Sequence, residues 1–200
     1  MTLAPTANTK AILIHQLSKR ATQNPFAKSK ADSIKVLFHP SKPFLFVGTR
    51  KHVKVYNLLK QSLAKKLIGG FKYMSSFEIH PGGDNVVCTA IDRRISWFDM
   101  DLSTKPYKTM RYDDTGLSSV SFHPKYPLFA TGGVDGNAYV FHGMVYSDLL
   151  QNPLIVPVKK IHAHKSDGTE GVTSIMFHPS QPWLFTCGMD SKIQLFTELN

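Results

Sequence analysis

Residues 172–196 read VTSIMFHPSQPWLFTCGMDSKIQLF: an apolar run, a His-Pro pair, a second apolar run, a polar turn and a third apolar run. The same order recurs in residues 117–141 (LSSVSFHPKYPLFATGGVDGNAYVF), 74–99 (MSSFEIHPGGDNVVCTAIDRRISWFD) and 34–57 (IKVLFHPSKPFLFVGTRKHVKVYN). Self-similarity of this kind marks a repeat architecture, so the repeat is read before any single residue is given a chemical task. It points to a surface that binds rather than a pocket that reacts.

The His-Pro pairs at His39, His80, His123 and His178 are spaced by 41, 43 and 55 residues. A four-stranded propeller blade of the WD40 type takes roughly 40–45 residues, so two spacings fit and the third carries an insertion. Alternating Ile34, Val36 and Phe38 and the β-branched or aromatic Val53, Val55 and Tyr56 are strand signals. Proline cannot donate to a ladder and turns the preceding residue away from helix, so each His-Pro closes a strand. Asp92, Asp135 and Asp190, followed by Arg93, Gly136 and Ser191, suit tight hairpins between second and third strands. The fold class expected is all-β, a WD40-type β-propeller.

The expected organisation gives residues 1–10 no regular structure and makes 11–31 the end of one blade. Blades follow at 32–70, 71–113 and 114–163, the last with an insertion over 142–157, and residues 164–200 form a blade without an outer strand. Two edges would then stay raw, and closure takes more blades than this, so the reading is the C-terminal part of a larger, seven-bladed propeller. Val145, Tyr146, Leu149 and Leu150 lie at helical spacing, which predicts a short helix or ordered loop within 143–153 and a candidate docking site.

With 42% hydrophobic and 19% charged residues the chain can build a core, and no apolar run reaches the length of a membrane span. No secretory signal opens the sequence, and Cys88 and Cys187 read as reduced core thiols in non-adjacent blades, which favours an intracellular setting. Charge is uneven. Residues 1–72 carry 14 Lys or Arg against one acid, Asp32, whereas residues 73–200 carry 10 against 13. That asymmetry points to a polyanion. Arg50 and Lys51 fall in the turn between second and third strands of one blade, and Arg93 and Arg94 in the matching turn of the next. With Lys54 they form the candidate RNA-binding patch; a solvated basic edge is the alternative.

No enzymatic constellation emerges. The four histidines stand one per blade, too far apart to share a zinc with bonds of roughly 2 Å, so neither metal nor cofactor is expected. His164 precedes an inner strand and has Asp190 as its natural partner, a structural pair like the turn residues Asp92 and Asp135. The glycines around Val134 and Asp135 precede a strand, whereas a phosphate-binding loop must open a helix. HExxH, CxxC and GxSxG do not occur.

Residues 96–107 (SWFDMDLSTKPY) and 142–157 (HGMVYSDLLQNPLIVP) carry a more specific signal, as do 12–26 (ILIHQLSKRATQNPF), 38–47 (FHPSKPFLFV), 79–87 (IHPGGDNVV), 122–132 (FHPKYPLFATG) and 177–185 (FHPSQPWLF). Together they resemble the C-terminal propeller of the block-of-proliferation family, known in yeast as the Erb protein. The resemblance implies a non-enzymatic nucleolar and nucleoplasmic factor in large ribosomal subunit assembly and pre-rRNA processing. It also implies a pescadillo-type partner, a WD-repeat partner with a ubiquitin-like domain, and contact with pre-rRNA and pre-60S particles, without membrane association. A protein-only scaffold is the alternative. The first repeat departs from the pattern by placing Arg50-Lys51 where the others keep a turn aspartate.

Overall fold

Because proline has no amide hydrogen, each His-Pro pair ends a strand and forces the chain to reverse, and five successive antiparallel sheets result in the computed structural model, which describes residues 2–4, 12–23, 33–112, 114–146 and 153–197. The first holds β1 (Thr2–Ala4), β2 (Leu13–Gln16) and β3 (Ala21–Gln23), and the second β4 (Ser33–Phe38), β5 (Phe44–Thr49), β6 (His52–Asn57) and β7 (Ser62–Ile68). The third holds β8 (Met74–Ile79), β9 (Asn85–Ala90), β10 (Arg94–Asp99) and β11 (Lys108–Arg111). The fourth holds β12 (Leu117–Phe122), β13 (Leu128–Gly133), β14 (Asn137–Met144) and β15 (Leu154–His162), and the fifth β16 (Val172–Phe177), β17 (Leu184–Gly188) and β18 (Ile193–Phe196). Within each whole repeat the strands pair in chain order, giving the propeller blade.

Four apolar clusters fill the four gaps between consecutive sheets. Ile12 and Ile14 meet Leu45 and Val47; Phe46, Val53, Val55 and Leu67 meet Met74, Phe77, Cys88 and Phe98. Val87, Ile95 and Trp97 meet Val120, Phe122, Phe129 and Phe141, and Ala130, Ala138 and Val140 meet Val172, Ile175 and Leu184. Alternation explains the sorting: Val86 and Cys88 face one neighbour and Val87 the other, so β9 is buried along its whole length. Trp97 donates its indole N–H to Asn85 Oδ1 at 2.7 Å, which keeps its one polar atom satisfied inside the core. Ser76, Ser119, Ser121 and Ser174, with a Lys35–Glu78 ion pair of 2.6 Å, line a cavity of about 330 Å³ along the innermost strands.

The histidine of each His-Pro pair organises its own turn. His39 Nδ1 accepts the amides of Ser41 and Lys42 at 3.1 and 2.9 Å, His123 Nδ1 those of Lys125 and Tyr126, His178 Nδ1 those of Ser180 and Gln181, and His80 Nδ1 that of Gly82. Accepting at Nδ1 leaves the proton on Nε2, and His123 uses it to reach Gln181 O at 2.9 Å, in the matching turn of the next sheet. His39 likewise hydrogen-bonds the Gly83 backbone. Gly83 has φ of +88°, and a Cβ there would stand 2.4 Å from the His39 ring, so the close approach demands glycine.

Residues 100–107 strap the third sheet to the second: Lys65 Nζ bonds Met100 O, Ile68 N donates to Thr104 O at 2.9 Å, and Tyr107 N returns to Trp97 O at 3.0 Å. The strap covers part of the edge that β7 would otherwise present.

Several expectations need correction. Thr2–Ala4 pairs with β2 in register Thr2↔His15, Leu3↔Ile14 and Ala4↔Leu13; three residues are too short to show a period but long enough to take a ladder. Gly143 and Met144 continue β14 and pair with Ile155 and Leu154, so the insertion between the strands begins after Met144; the expected helix or ordered loop falls largely on residues 147–152, which lie outside the described residues. Leu149 and Leu150 lie outside the described residues. Arg94 is not a turn residue but the first residue of β10. Cys88 is fully buried, yet Cys187 is only half-buried, because odd residues of β17 and β18 face away from the fourth sheet, leaving Ile193 and Leu195 exposed.

Burial and neighbouring lysines disfavour the charged form of several imidazoles. Burial, then Lys42, lowers the pKa of His39; burial lowers that of His80; burial, then Lys66 and Lys54, lowers that of His52 to about 4. All three shifts lie below the usual value of 6.5, so the unfolded chain binds protons first as pH falls. Their contribution is complete above about pH 6.5 and declines below it, for His52 until about pH 4. The thermal midpoint should therefore drop by roughly 5 °C or more between about pH 7.5 and pH 5, measured by circular dichroism. An unchanged midpoint would show that these rings are not held neutral.

Candidate nucleic-acid interface

On one rim of the sheets lie the turns between second and third strands. In the third and fourth sheets this turn is the three residues Ile91-Asp92-Arg93 and Val134-Asp135-Gly136, and in the fifth Met189-Asp190-Ser191 is followed by Lys192, whose carbonyl accepts from Gly188 N at 3.1 Å before β18 begins. The third residue of each is left-handed, with φ of 69°, 85° and 60°, and donates its amide to the end of the preceding strand at 3.2 Å. Arginine at such a position costs up to about 1–2 kcal/mol relative to a right-handed conformer. The second sheet instead turns in two residues, Arg50-Lys51, and Thr49 closes the turn: its Oγ1 donates to His52 O at 2.9 Å and accepts His52 N at 3.3 Å.

The three aspartates do different work. His164 is buried and donates from Nδ1 to Asp190 Oδ1 at 2.9 Å, while its Nε2 meets Thr186 Oγ1 at 2.8 Å. Burial alone would raise the Asp190 carboxyl, but the His164 bond and the amides of Lys165 and Lys192 hold it below the usual carboxylate range. Asp135 accepts the Tyr139 hydroxyl at 2.6 Å and lies 3.9 Å from Lys160. Asp92 Oδ2 takes Arg94 Nε at 3.3 Å and the Lys72 amide at 3.4 Å. Among the described residues no three metal-ligating side chains cluster.

The five basic residues read from the sequence do not form one equivalent set. Arg93 is drawn to Asp114 at 2.9 Å, and Arg94 to Asp92 and to Gly70 O at 2.9 Å, so a carboxylate sits beside each. Among the described residues no carboxylate lies in salt-bridge range of Arg50, Lys51 or Lys54. Arg50 lies over the Tyr73 ring, its Cζ 4.7 Å from the centroid, and Lys54 stands opposite Lys66 in the ladder. Residues 33–68 contain eight Lys or Arg and no acid. Uncompensated positive charge is thus concentrated on the second sheet. Asp92 two residues before Arg94 is a visible sequence signal; Arg93–Asp114 and Arg50–Tyr73, 21 and 23 residues apart, required the fold.

Of the candidate docking residues, Val145 and Tyr146 are half-buried, and Val145 packs against the cluster around Trp97. Beside them Met144, Leu154 and Val156 are exposed, and the register Met144↔Leu154 and His142↔Val156 makes them one apolar strip on β14 and β15; Val158, also exposed, falls at the register shift between Val140 and Phe141. Sequence reading missed this strip, although the alternation of Leu154, Val156 and Val158 could have disclosed it.

Comparison with known proteins follows the same lines. The model for "WD domain, G-beta repeat" matches residues 104–142 and 155–197. A "Ribosome biogenesis protein BOP1 homolog" from Chlamydomonas reinhardtii is 56% identical over 195 residues, covering 97% of this chain and 24% of the relative. "Ribosome biogenesis protein bop1-A" from Xenopus laevis is 55% identical over 96% of the chain and 26% of its own length, and "Ribosome biogenesis protein BOP1" from Homo sapiens is 51% identical over 93% and 25%. The chain belongs to the block-of-proliferation family. It spans about a quarter of the length of these curated relatives, and in block-of-proliferation terms it is a run of WD repeats.

The His164 pair is the clearest structural bond on this rim. Replacing His164 by Ala leaves the Thr186 hydroxyl and the Asp190 carboxylate without their partner and should cost about 2–4 kcal/mol of unfolding free energy in urea titrations. A loss below about 0.5 kcal/mol would show that the pair is idle.

Proposed function

We propose that this chain is a non-enzymatic scaffold of large ribosomal subunit assembly and pre-rRNA processing, acting in the nucleolus and nucleoplasm by holding pre-rRNA and a WD-repeat partner. The observation that carries the role is its 50–56% identity, over nearly its whole length, to proteins named for ribosome biogenesis. Support for RNA contact comes from the second sheet, where residues 33–68 hold eight cations and no acid, and among the described residues only Lys35 and Lys42 of these pair with carboxylates of the third sheet, Glu78 and Asp84. Phosphate binding needs such charge free of carboxylates, since each cation that neutralises a phosphate releases a condensed counterion. Arg50, Lys51 and Lys54 meet that condition; Arg93 and Arg94 contribute after exchanging Asp114 and Asp92 for phosphate.

Protein docking is supported separately by the strip of Met144, Leu154 and Val156, beside Val145 and Tyr146. A contiguous exposed apolar strip suits a partner surface and contributes nothing to phosphate contacts. The WD-repeat partner with a ubiquitin-like domain is assigned there, and the pescadillo-type protein and pre-60S particle complete the assembly.

Charge reversal separates the two sets of cations. Arg50→Glu, Lys51→Glu and Lys54→Glu together should weaken binding of a labelled RNA oligonucleotide roughly 100-fold and flatten the salt dependence by about two, measured by anisotropy at several salt concentrations. Arg93→Glu with Arg94→Glu should have the smaller effect, because both start from compensated pairs. Unchanged affinity and slope in the triple variant would remove RNA from this surface and leave the protein-only scaffold.

A further inference from the structure

The link between the second and third sheets, residues 69–73, is held at several points. Gly70 O accepts from Arg94, the peptide after Tyr73 donates from Met74 N to Arg50 O at 2.7 Å, and Tyr73 O accepts Ile91 N at 3.0 Å. Tyr73 is therefore fixed by the turns of two adjacent sheets. The residue is 40% exposed, and among the described residues its ring packs against no other aromatic ring. The contrast is Tyr112, in the next link, whose ring is committed to Tyr139 and Phe141 at 5.5 and 5.0 Å.

Over the Tyr73 ring lies the Arg50 guanidinium, exposed, with no carboxylate in range among the described residues. Lys51 follows Arg50 in its turn and Lys72 precedes Tyr73 in the link, and both are exposed. An exposed aromatic ring, a guanidinium plane and nearby ammonium groups are the elements that hold unpaired bases and the phosphates between them. A duplex offers its phosphates but keeps its bases stacked on one another, so it can use the cations and not the ring.

Resting on the RNA reading above, we propose that Arg50 and Tyr73 form a stacking platform for an unpaired base, so that this surface selects single-stranded RNA over duplex RNA. Binding is tolerant of sequence, since every base has a π face and no donor set here is arranged on base edges.

The test compares a uridine oligomer about twelve nucleotides long with an RNA duplex of equal charge, on the wild-type protein, Tyr73→Ala and Tyr73→Phe. The wild type should prefer the single strand. Tyr73→Ala should lose roughly tenfold in affinity for it with an unchanged salt slope, duplex binding should hold, and Tyr73→Phe should match the wild type. Circular dichroism checks folding, and Tyr73→Phe carries the comparison if Tyr73→Ala does not fold: in that event the platform stands on the wild-type preference and falls if single strand and duplex bind alike. Equal binding of both RNA forms, with Tyr73→Ala indistinguishable from wild type, overturns the platform while the phosphate reading survives. Absence of binding to either form overturns the RNA reading and this inference with it.

Discussion

Proline lacks an amide hydrogen, so in the turns of His39, His123 and His178 the amides that need a partner lie two and three residues beyond the histidine, and the ring Nδ1 takes them, while His80 Nδ1 takes the first of the two. That choice fixes the tautomer. With the proton on Nε2, the same ring becomes a donor, and in His123 it is spent on Gln181 O of the following sheet. One neutral imidazole thus closes a turn and ties two sheets together. The apolar clusters between sheets supply far more of the burial energy, but burial is non-directional and would tolerate sliding; the bonds of His39 and His123 help set where the second sheet sits on the third and the fourth on the fifth. The strap from Met100 to Tyr107 does the same at the outer edge, through Lys65 and Ile68.

A net charge of +10 says little about where a polyanion would rest. Pairing decides it. The three-residue turns carry an aspartate one residue before the left-handed position, and where an arginine follows, as at Arg93 and Arg94, an acid is close by. The two-residue turn of the second sheet has lost that aspartate, and Thr49 supplies the missing hydrogen bonds without bringing any negative charge. The chemistry of one turn type therefore separates compensated from uncompensated cations along a single rim.

Strands and their order were legible because period-two alternation, His-Pro and Asp-x turns all point the same way in every repeat. β1 was not, since three residues carry no period, and neither was the extension of β14 through Gly143 and Met144, which pair with Ile155 and Leu154. At the candidate site the sequence identified which residues are basic and on which turns they fall. It could not identify their partners, because Arg93–Asp114 and Arg50–Tyr73 are contacts between sheets, fixed only when the blades stack. His164 and Asp190 were readable as a pair through the repeat itself, since a turn acid and a histidine before the inner strand recur in WD repeats.

Departures from local rules collect around the second and third sheets. His52 Nε2 is buried with no hydrogen-bond partner among the described residues, Lys54 faces Lys66 directly across the ladder, and Arg93 occupies a left-handed position that favours glycine. Each is a stability cost: an unpaired buried polar atom, like charges in cross-strand register, and a strained backbone. The fourth sheet satisfies the same positions with Asn137 beside His162, Tyr139 opposite Lys160, and Gly136. The repeat plainly permits the cheaper solution, so the second sheet and Arg93 carry local costs that the fourth sheet avoids. The compensating gain consistent with the chemistry is a rim on which positive charge stays available beside an exposed aromatic ring.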